Sequence, residues 1–341
     1  MRGYRFKTII AKTQRKMRTR RFLSELEAVK GLKPVDTDSG RSDVAIGFLT
    51  CSRHLLLMML AAKSFYHFSG IICPLYVWDD GTLRPEDLDC LHSLFPNARL
   101  LRRSDLNVNL LKDYPLTRDF ARCRLKNYET YAPMLKILGP LASPNTPRRF
   151  ILSDSDAFFF DWPQTILEWL DESRPTSHYI APWSGQDNVS EEDLKPLYET
   201  LGISLCPRIN SGLLLLDRSI FRLDIIEKIL SFYSQRSYAW DIEQTIYRFL
   251  MAVSNSVPLN QDDYVLCHRK FNAVCHHFFS SVISDEPVIM EKILNLLAYI
   301  EDCERREKPP VAVAQGLRPS PPPVRQGGVA ETVTISRSLF I

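Results

Sequence analysis

Several features are missing from this 341-residue chain, and each absence removes a class of protein. No apolar run reaches the roughly 18 residues that a membrane-crossing helix needs. The apolar stretch near the amino terminus, Thr8–Ala11, is too short for the core of a secretory leader. None of the eight cysteines (51, 73, 90, 123, 206, 267, 275 and 303) is in C-x-x-C spacing, which argues against a zinc ribbon or a disulfide scaffold. Several lie inside apolar runs, as buried free thiols of a reducing compartment do, so a cytoplasmic location is expected. No internal repeat is present. Acidic residues are absent from the first 21 positions, which hold nine Lys/Arg. The remainder carries 34 basic against 40 acidic residues, so the basic character behind the net +3 belongs to an amino-terminal arm and not to the body. Such an arm is either a solvated tail or a patch that docks on an anionic membrane surface. With no recognition module after it, nucleic acid is not an expected partner.

What is present reads as one large domain with two tails. Residues 1–42 form the basic arm and a linker, because Leu23–Ser42 contains Gly31, Pro34, Asp36, Asp38 and Gly40. Val44–Thr50, Ile71–Trp78 and Ala98–Leu101 are β-rich runs, separated by an apolar helix over Leu55–Phe68 and a second helix opening at Pro85. Strand and helix in alternation predict a parallel sheet with a ligand crevice beyond the strand ends. A helix is expected over Tyr131–Leu138, a short strand or edge at Tyr179–Trp183, and a capped helix after Ser190 that ends before Gly202. A buried strand follows at Ile209–Leu216, then helices over Ile220–Tyr233, Ile242–Val253 and Pro287–Ile300. The domain thus spans 43–300, and the Pro-rich residues 301–341 read as disordered.

The chemistry centres on Arg149–Pro163, where the apolar run Phe150–Leu152 ends abruptly in Ser153-Asp154-Ser155-Asp156. Two carboxylates one residue apart at a strand end repel each other. A divalent cation of the Mg²⁺ or Mn²⁺ type, bridging to a phosphate, resolves the conflict. Asp and Ser are also ordinary turn residues, so the pair alone is a weak motif.

Together with V-W-D-D-G-T-L near Asp80, I-N-S-G-L-L-L-L from Ile209 and D-I-E-Q-T-I from Asp241, the stretch F-I-L-S-D-S-D-A-F-F-F-D-W-P resembles nucleotide-sugar glycosyltransferases of the GT-A type. The resemblance is to the branch of glycogenin and the lipopolysaccharide glucosyl- and galactosyltransferases, and it covers residues 43–298. It implies a Rossmann-like three-layer α/β/α sandwich with a mostly parallel central sheet. It implies hexosyl transfer from a nucleotide-sugar donor, a UDP-sugar, to a hydroxyl acceptor such as a glycan. Asp154 and Asp156 match the metal-holding D-x-D. His277 resembles the later histidine that completes the metal site, with adjacent His276 as the alternative; Phe279-Ser280-Ser281 replaces the glycine-containing stretch usual there. Lys136 matches a basic residue that approaches the donor phosphates.

The residues themselves suggest further roles. Arg124 and Lys136 can give charge-assisted bonds to phosphate. Thr50, Arg53 and Asp80 follow the first two strands and are candidates for the base and ribose, with Ser155 beside the metal pair. Asn210 and Asp187 can contact donor sugar or acceptor. Asp241 and Glu243 compete as general base, although Asp241-Ile242-Glu243-Gln244 also fits a helix cap. Trp183 and Trp240 offer flat faces to a sugar ring. Two other readings compete with a transferase: a binding or scaffold protein on the same fold, and a haloacid-dehalogenase-type phosphatase, against which the mid-chain motif and Ala157 count.

Overall fold

A computed structural model describes residues 2–121, 132–142, 145–173, 176–181, 191–203, 208–234, 242–266, 272–279, 283 and 286–306, with side chains from residue 13. Arg124, Asp187 and Asp241 lie outside these residues, as do Trp183, Trp240 and the tail from 307.

Four long apolar strands form the centre of the molecule: β1 (Val44–Thr50), β2 (Leu75–Asp79), β4 (Arg149–Asp154) and β7 (Asn210–Asp217). The shorter β3 (Arg99–Leu101), β6 (His178–Ile180) and β8 (Val257–Pro258) complete a seven-stranded sheet in the order β3-β2-β1-β4-β7-β6-β8. Only β7 runs against the others. The central strands are near-continuous apolar runs because both faces are covered. Ile46, Phe48, Leu75, Val77, Ile151, Leu213 and Leu215 face one core, shared with α2 (Leu55–Ser69), α3 (Pro85–Leu94), α6 (Gln164–Asp171) and α10 (Pro287–Arg305). Alternate residues Ala45, Tyr76, Trp78, Phe150, Leu152, Leu214 and Leu216 face a second core. That core is closed by α4 (Pro115–Ala121), α5 (Met134–Ala142), α7 (Glu191–Leu201), α8 (Leu223–Ser234) and α9 (Ile242–Val253). The result is the three-layer α/β/α sandwich with a mostly parallel sheet that the sequence predicts.

Two features of the topology place the site. The chain lays β2 and β3 on one side of β1 and β4 on the other, so the carboxyl ends of β1 and β4 flank the switch point where a crevice opens. A second, three-stranded sheet joins β5 (Ala157–Phe159), β10 (Cys275–His277) and β9 (Tyr264–Leu266). Its antiparallel register sets His277 opposite Ala157, and the Phe278 N–H donates to the Asp156 carbonyl at 2.9 Å. A segment from late in the chain is thereby fixed beside the acidic turn.

The expected linker is not one. Helix α1 (Arg2–Leu26) runs into it, and Leu26, Val29, Leu32 and Val35 are buried in the core beside α10. Val35 N–H donates to Leu94 O at 2.8 Å and Arg41 N–H to Ile72 O at 2.8 Å. Glu304 on α10 accepts from Lys33 N–H at 2.8 Å and pairs with buried Lys63 at 2.6 Å. The boundaries at 42 and 300 are therefore both crossed by packed structure. Gly31 ends a 3-10 helix and Gly40 lies in a bend, but the apolar residue at every third position from Leu26 to Val35 anchors this segment to the body.

Lys292 on α10 is half-buried. Its Nζ lies 4.5 Å above the Phe160 ring and 2.8 Å from Nε2 of His276. Burial pushes this ammonium down to about 7. The unfolded chain, with lysine near its ordinary value of about 10.4, binds more protons than the folded chain between those two values. Stability must then rise with pH across that window. Urea unfolding of the wild type and of Lys292→Met from pH 7 to 10 should show this rise in the wild type and a flatter profile in the variant; parallel profiles would refute it.

Candidate functional site

Asp154 is the last residue of β4, and Asp156 follows across a tight turn. Between them Ser155 points toward β1: its hydroxyl donates to the Leu49 carbonyl at 3.0 Å and lies 3.3 Å from the Thr50 hydroxyl. Ser155 and Thr50, both expected to touch a donor, thus pin the acidic turn to the neighbouring strand. Both carboxylates face the β10 strand. Its adjacent histidines point to opposite faces, as strand geometry requires. His277 Nε2 lies 3.2 Å from Asp156 Oδ1 and 3.4 Å from Asp154 Oδ2. His276 instead stacks on Phe278 and contacts Lys292. One ligand atom from each of Asp154, Asp156 and His277 falls within 4.8 Å of the other two. A set of two carboxylate oxygens and one imidazole nitrogen suits a divalent cation such as Mn²⁺, and the imidazole favours Mn²⁺ over Mg²⁺.

Behind this triad sits a buried ammonium. Lys136, on α5, donates to Asp154 Oδ1 at 2.8 Å, to the Ser211 carbonyl at 2.8 Å and to the Ser211 hydroxyl at 3.2 Å. Glu243 Oε1 of α9 lies 3.3 Å away, and the Ser211 hydroxyl donates to Glu243 Oε2 at 3.1 Å. Burial works against the charge on Lys136, but Asp154 and Glu243 hold its pKa above the ordinary lysine value. Burial likewise opposes ionisation of Asp154, and Lys136 and His277 overcome it, so the carboxyl stays below the usual range. Burial pushes Glu243 up despite Lys136. For His277, burial favours the neutral ring, and the neighbouring Asp156 and Asp154 nonetheless raise its pKa.

These contacts alter two expectations. The Lys136 ammonium has its hydrogens committed to Asp154 and Ser211 and is 4% exposed, so it acts on anything in the crevice only through Asp154. Glu243, 7% exposed, has Lys136 and Ser211 as its partners behind Asp154, which ties this carboxyl to the protein's own groups. Asn210 is buried too, with its side-chain oxygen 2.9 Å from Nδ1 of His277. Arg53 and Asp80 remain exposed at the rim. Asp80 accepts from the Thr82 N–H and hydroxyl at 3.0 and 2.7 Å, and the Ser52 N–H donates to the same hydroxyl at 3.0 Å, tying the loops after β1 and β2 together. Three participants were not singled out by the sequence. Ser211 and Gly212 were read only as parts of a motif. Half-buried His54 precedes α2, within electrostatic reach of Asp156; burial pushes its pKa down.

Replacing Lys136 leaves buried Glu243 and half-buried Asp154 without their shared cation. Breaking a buried pair in this way costs about 3–5 kcal/mol. Urea unfolding of Lys136→Met should show a loss of that order, partly restored by adding Glu243→Gln; a loss below about 1 kcal/mol would contradict the arrangement.

No protein-family model matches the chain, and no curated protein does. Solved structures do match. The chain is similar to the galactosyltransferase LgtC, solved with donor and acceptor sugar analogues, at 13% identity over 73% of this chain and 95% of that one, with a TM-score of 0.45. It is similar to mouse xyloside xylosyltransferase 1 at 12% identity, covering 73% of this chain and 99% of that one, with a TM-score of 0.46. Core-mannan synthase A of Aspergillus fumigatus, in a Mn/GDP form, matches at 10% identity over 66% and 74% of the two chains, with a TM-score of 0.43. These are similarities of fold to glycosyltransferases of the GT-A type.

Proposed function

We propose that this chain is a metal-dependent glycosyltransferase that takes its sugar from a nucleoside-diphosphate sugar, a UDP-sugar in the first instance, and passes it to a hydroxyl acceptor. The observation that carries this reading is the convergence of Asp154, Asp156 and His277 on one point at the crevice end of β4. Glycosyl transfer breaks an anomeric C–O bond, and negative charge builds on the departing diphosphate. A bound Mn²⁺ or Mg²⁺ supplies Lewis-acid neutralisation of that charge and orientation of the donor. Asp154 and Asp156 hold the anchoring oxygens, and Lys136 keeps Asp154 ionised and in place. Exposed Arg53 and Asp80 rim the crevice where a ribose and base would lie. Arg124 for phosphate, Asp187 for sugar and Asp241 as the acceptor's base complete the proposed machinery.

The five free thiols among the described residues, Cys51, Cys73, Cys90, Cys275 and Cys303, are consistent with a reducing, cytoplasmic setting. Helix α1 adds a second element. Arg15, Lys16, Arg18, Arg20 and Arg21 are exposed on it, with Met17 as the one large apolar side chain among residues 13–21. No described helix is long and apolar enough to cross a membrane. A surface so cationic and so poor in apolar groups fits electrostatic adsorption to an anionic membrane, not insertion.

Thermal-shift titration with UDP-sugars and Mn²⁺ tests the first proposal. A donor at about 100 times its dissociation constant should stabilise the wild type by about 2.7 kcal/mol, and Asp154→Ala or Asp156→Ala should abolish the metal-dependent part while folding normally. Undiminished metal-dependent binding in both variants would refute it. For the arm, sedimentation with phosphatidylserine vesicles should fall as salt rises from about 0.1 M to about 1 M, which shortens the screening length from about 10 to about 3 Å. Removing residues 1–21 should abolish the binding; retention would dispose of the idea.

A further inference from the structure

The tripeptide Asn210-Ser211-Gly212 opens β7, and each of its residues supports a different part of the Asp154–Asp156–His277 cluster. Gly212 makes room for the imidazole. A Cβ at this position would stand 2.1 Å from Nδ1 and 2.3 Å from Cε1 of His277, closer than any side chain can come. Ser211 gives its carbonyl and hydroxyl to the Lys136 ammonium, which holds Asp154. Asn210 directs Oδ1 at Nδ1 of His277 across 2.9 Å.

The identity of that Asn210 atom is fixed by a second contact. The same Oδ1 accepts the backbone N–H of Gly212 at 2.8 Å. A backbone N–H can only donate, so the atom facing the ring is the amide oxygen and not the amide nitrogen. An oxygen acceptor calls for a proton on Nδ1. In the neutral ring Nε2 then carries the lone pair, and Nε2 is the atom set 3.2 Å from Asp156 and 3.4 Å from Asp154. With two N–H groups on Oδ1 and the residue 8% exposed, that oxygen is committed to the protein.

We infer that Asn210 is a positioning residue: it locks His277 in the Nδ1–H tautomer and so presents Nε2 as a ligand to a divalent cation. This rests on the metal-binding reading above and goes beyond it, since it moves Asn210 from contact with a sugar to support of a ligand. Partners of this kind orient the ring and strengthen it as a donor, and their loss typically weakens metal binding 10- to 100-fold.

Two measurements on the full chain test it. In calorimetric titration with Mn²⁺ alone, Asn210→Leu should bind about 10- to 100-fold more weakly than wild type, whereas Asn210→Asp, which keeps an acceptor in the same place, should stay within a few-fold. In long-range ¹H–¹⁵N imidazole spectra of the metal-free chain in alkaline buffer, the His277 signal, assigned by its loss in His277→Gln, should have the Nδ1–H pattern. Unchanged Mn²⁺ affinity in Asn210→Leu, or an Nε2–H pattern in the wild type, would overturn the assignment and leave the metal reading standing. Absence of Mn²⁺ uptake by the wild type would instead sink the metal reading, and the spectra alone would then decide whether Asn210 holds His277. If Asn210→Leu does not fold, the Asn210→Asp titration and the wild-type tautomer decide the matter: a large loss of affinity in Asn210→Asp counts against the assignment.

Discussion

Three acidic side chains meet at one end of this sheet, and two basic groups keep neighbouring carboxylates apart. Lys136 stands between Asp154 and Glu243, and His277 stands between Asp154 and Asp156. Both separators come from outside β4, one from a helix on the second core and one from the small sheet. The arrangement therefore demands that α5, α9, β7 and β10 all close on the carboxyl end of β4. The strand order supplies this, because the switch between β1 and β4 leaves that end open to a crevice while both faces are covered.

The sheet was legible because strands buried on both faces cannot disguise themselves: V-A-I-G-F-L-T and L-L-L-L have few other uses. The acidic pair was legible for the opposite reason, as charge placed abruptly at the end of an apolar run. The choice between His276 and His277 was not available to sequence, since it depends on which face of β10 meets β5, a fact of pairing between segments more than a hundred residues apart. Lys136 offered a signal that went unused. It sits inside Met134-Leu135-Lys136-Ile137-Leu138, where apolar neighbours on every side mark a helix with no solvent face. A lysine there must find partners inside the protein. Glu243, between Ile242 and Thr245-Ile246, carries the same message.

The amino-terminal segment misled for a different reason. Glycine, proline and aspartate correctly announce turns, but turns and linkers share that composition. What separates them is whether the apolar residues in between find a surface, and Leu26, Val29, Leu32 and Val35 find α10 and α2. The pairing of Lys63 with Glu304 shows how firmly the early and late parts of the chain are joined there.

The position of β10 sets an order of events on the ribosome. Asp154 and Asp156 emerge more than a hundred residues before His277, and the strand that carries His277 pairs with β5 and β9. A nascent chain that has already formed β1, β2 and β4 holds the two carboxylates and Lys136, but not His277. The Asp154–Asp156–His277 cluster is thus complete only once β10 has been made, and a chain cut short before residue 275 keeps the two carboxylates and Lys136 without His277.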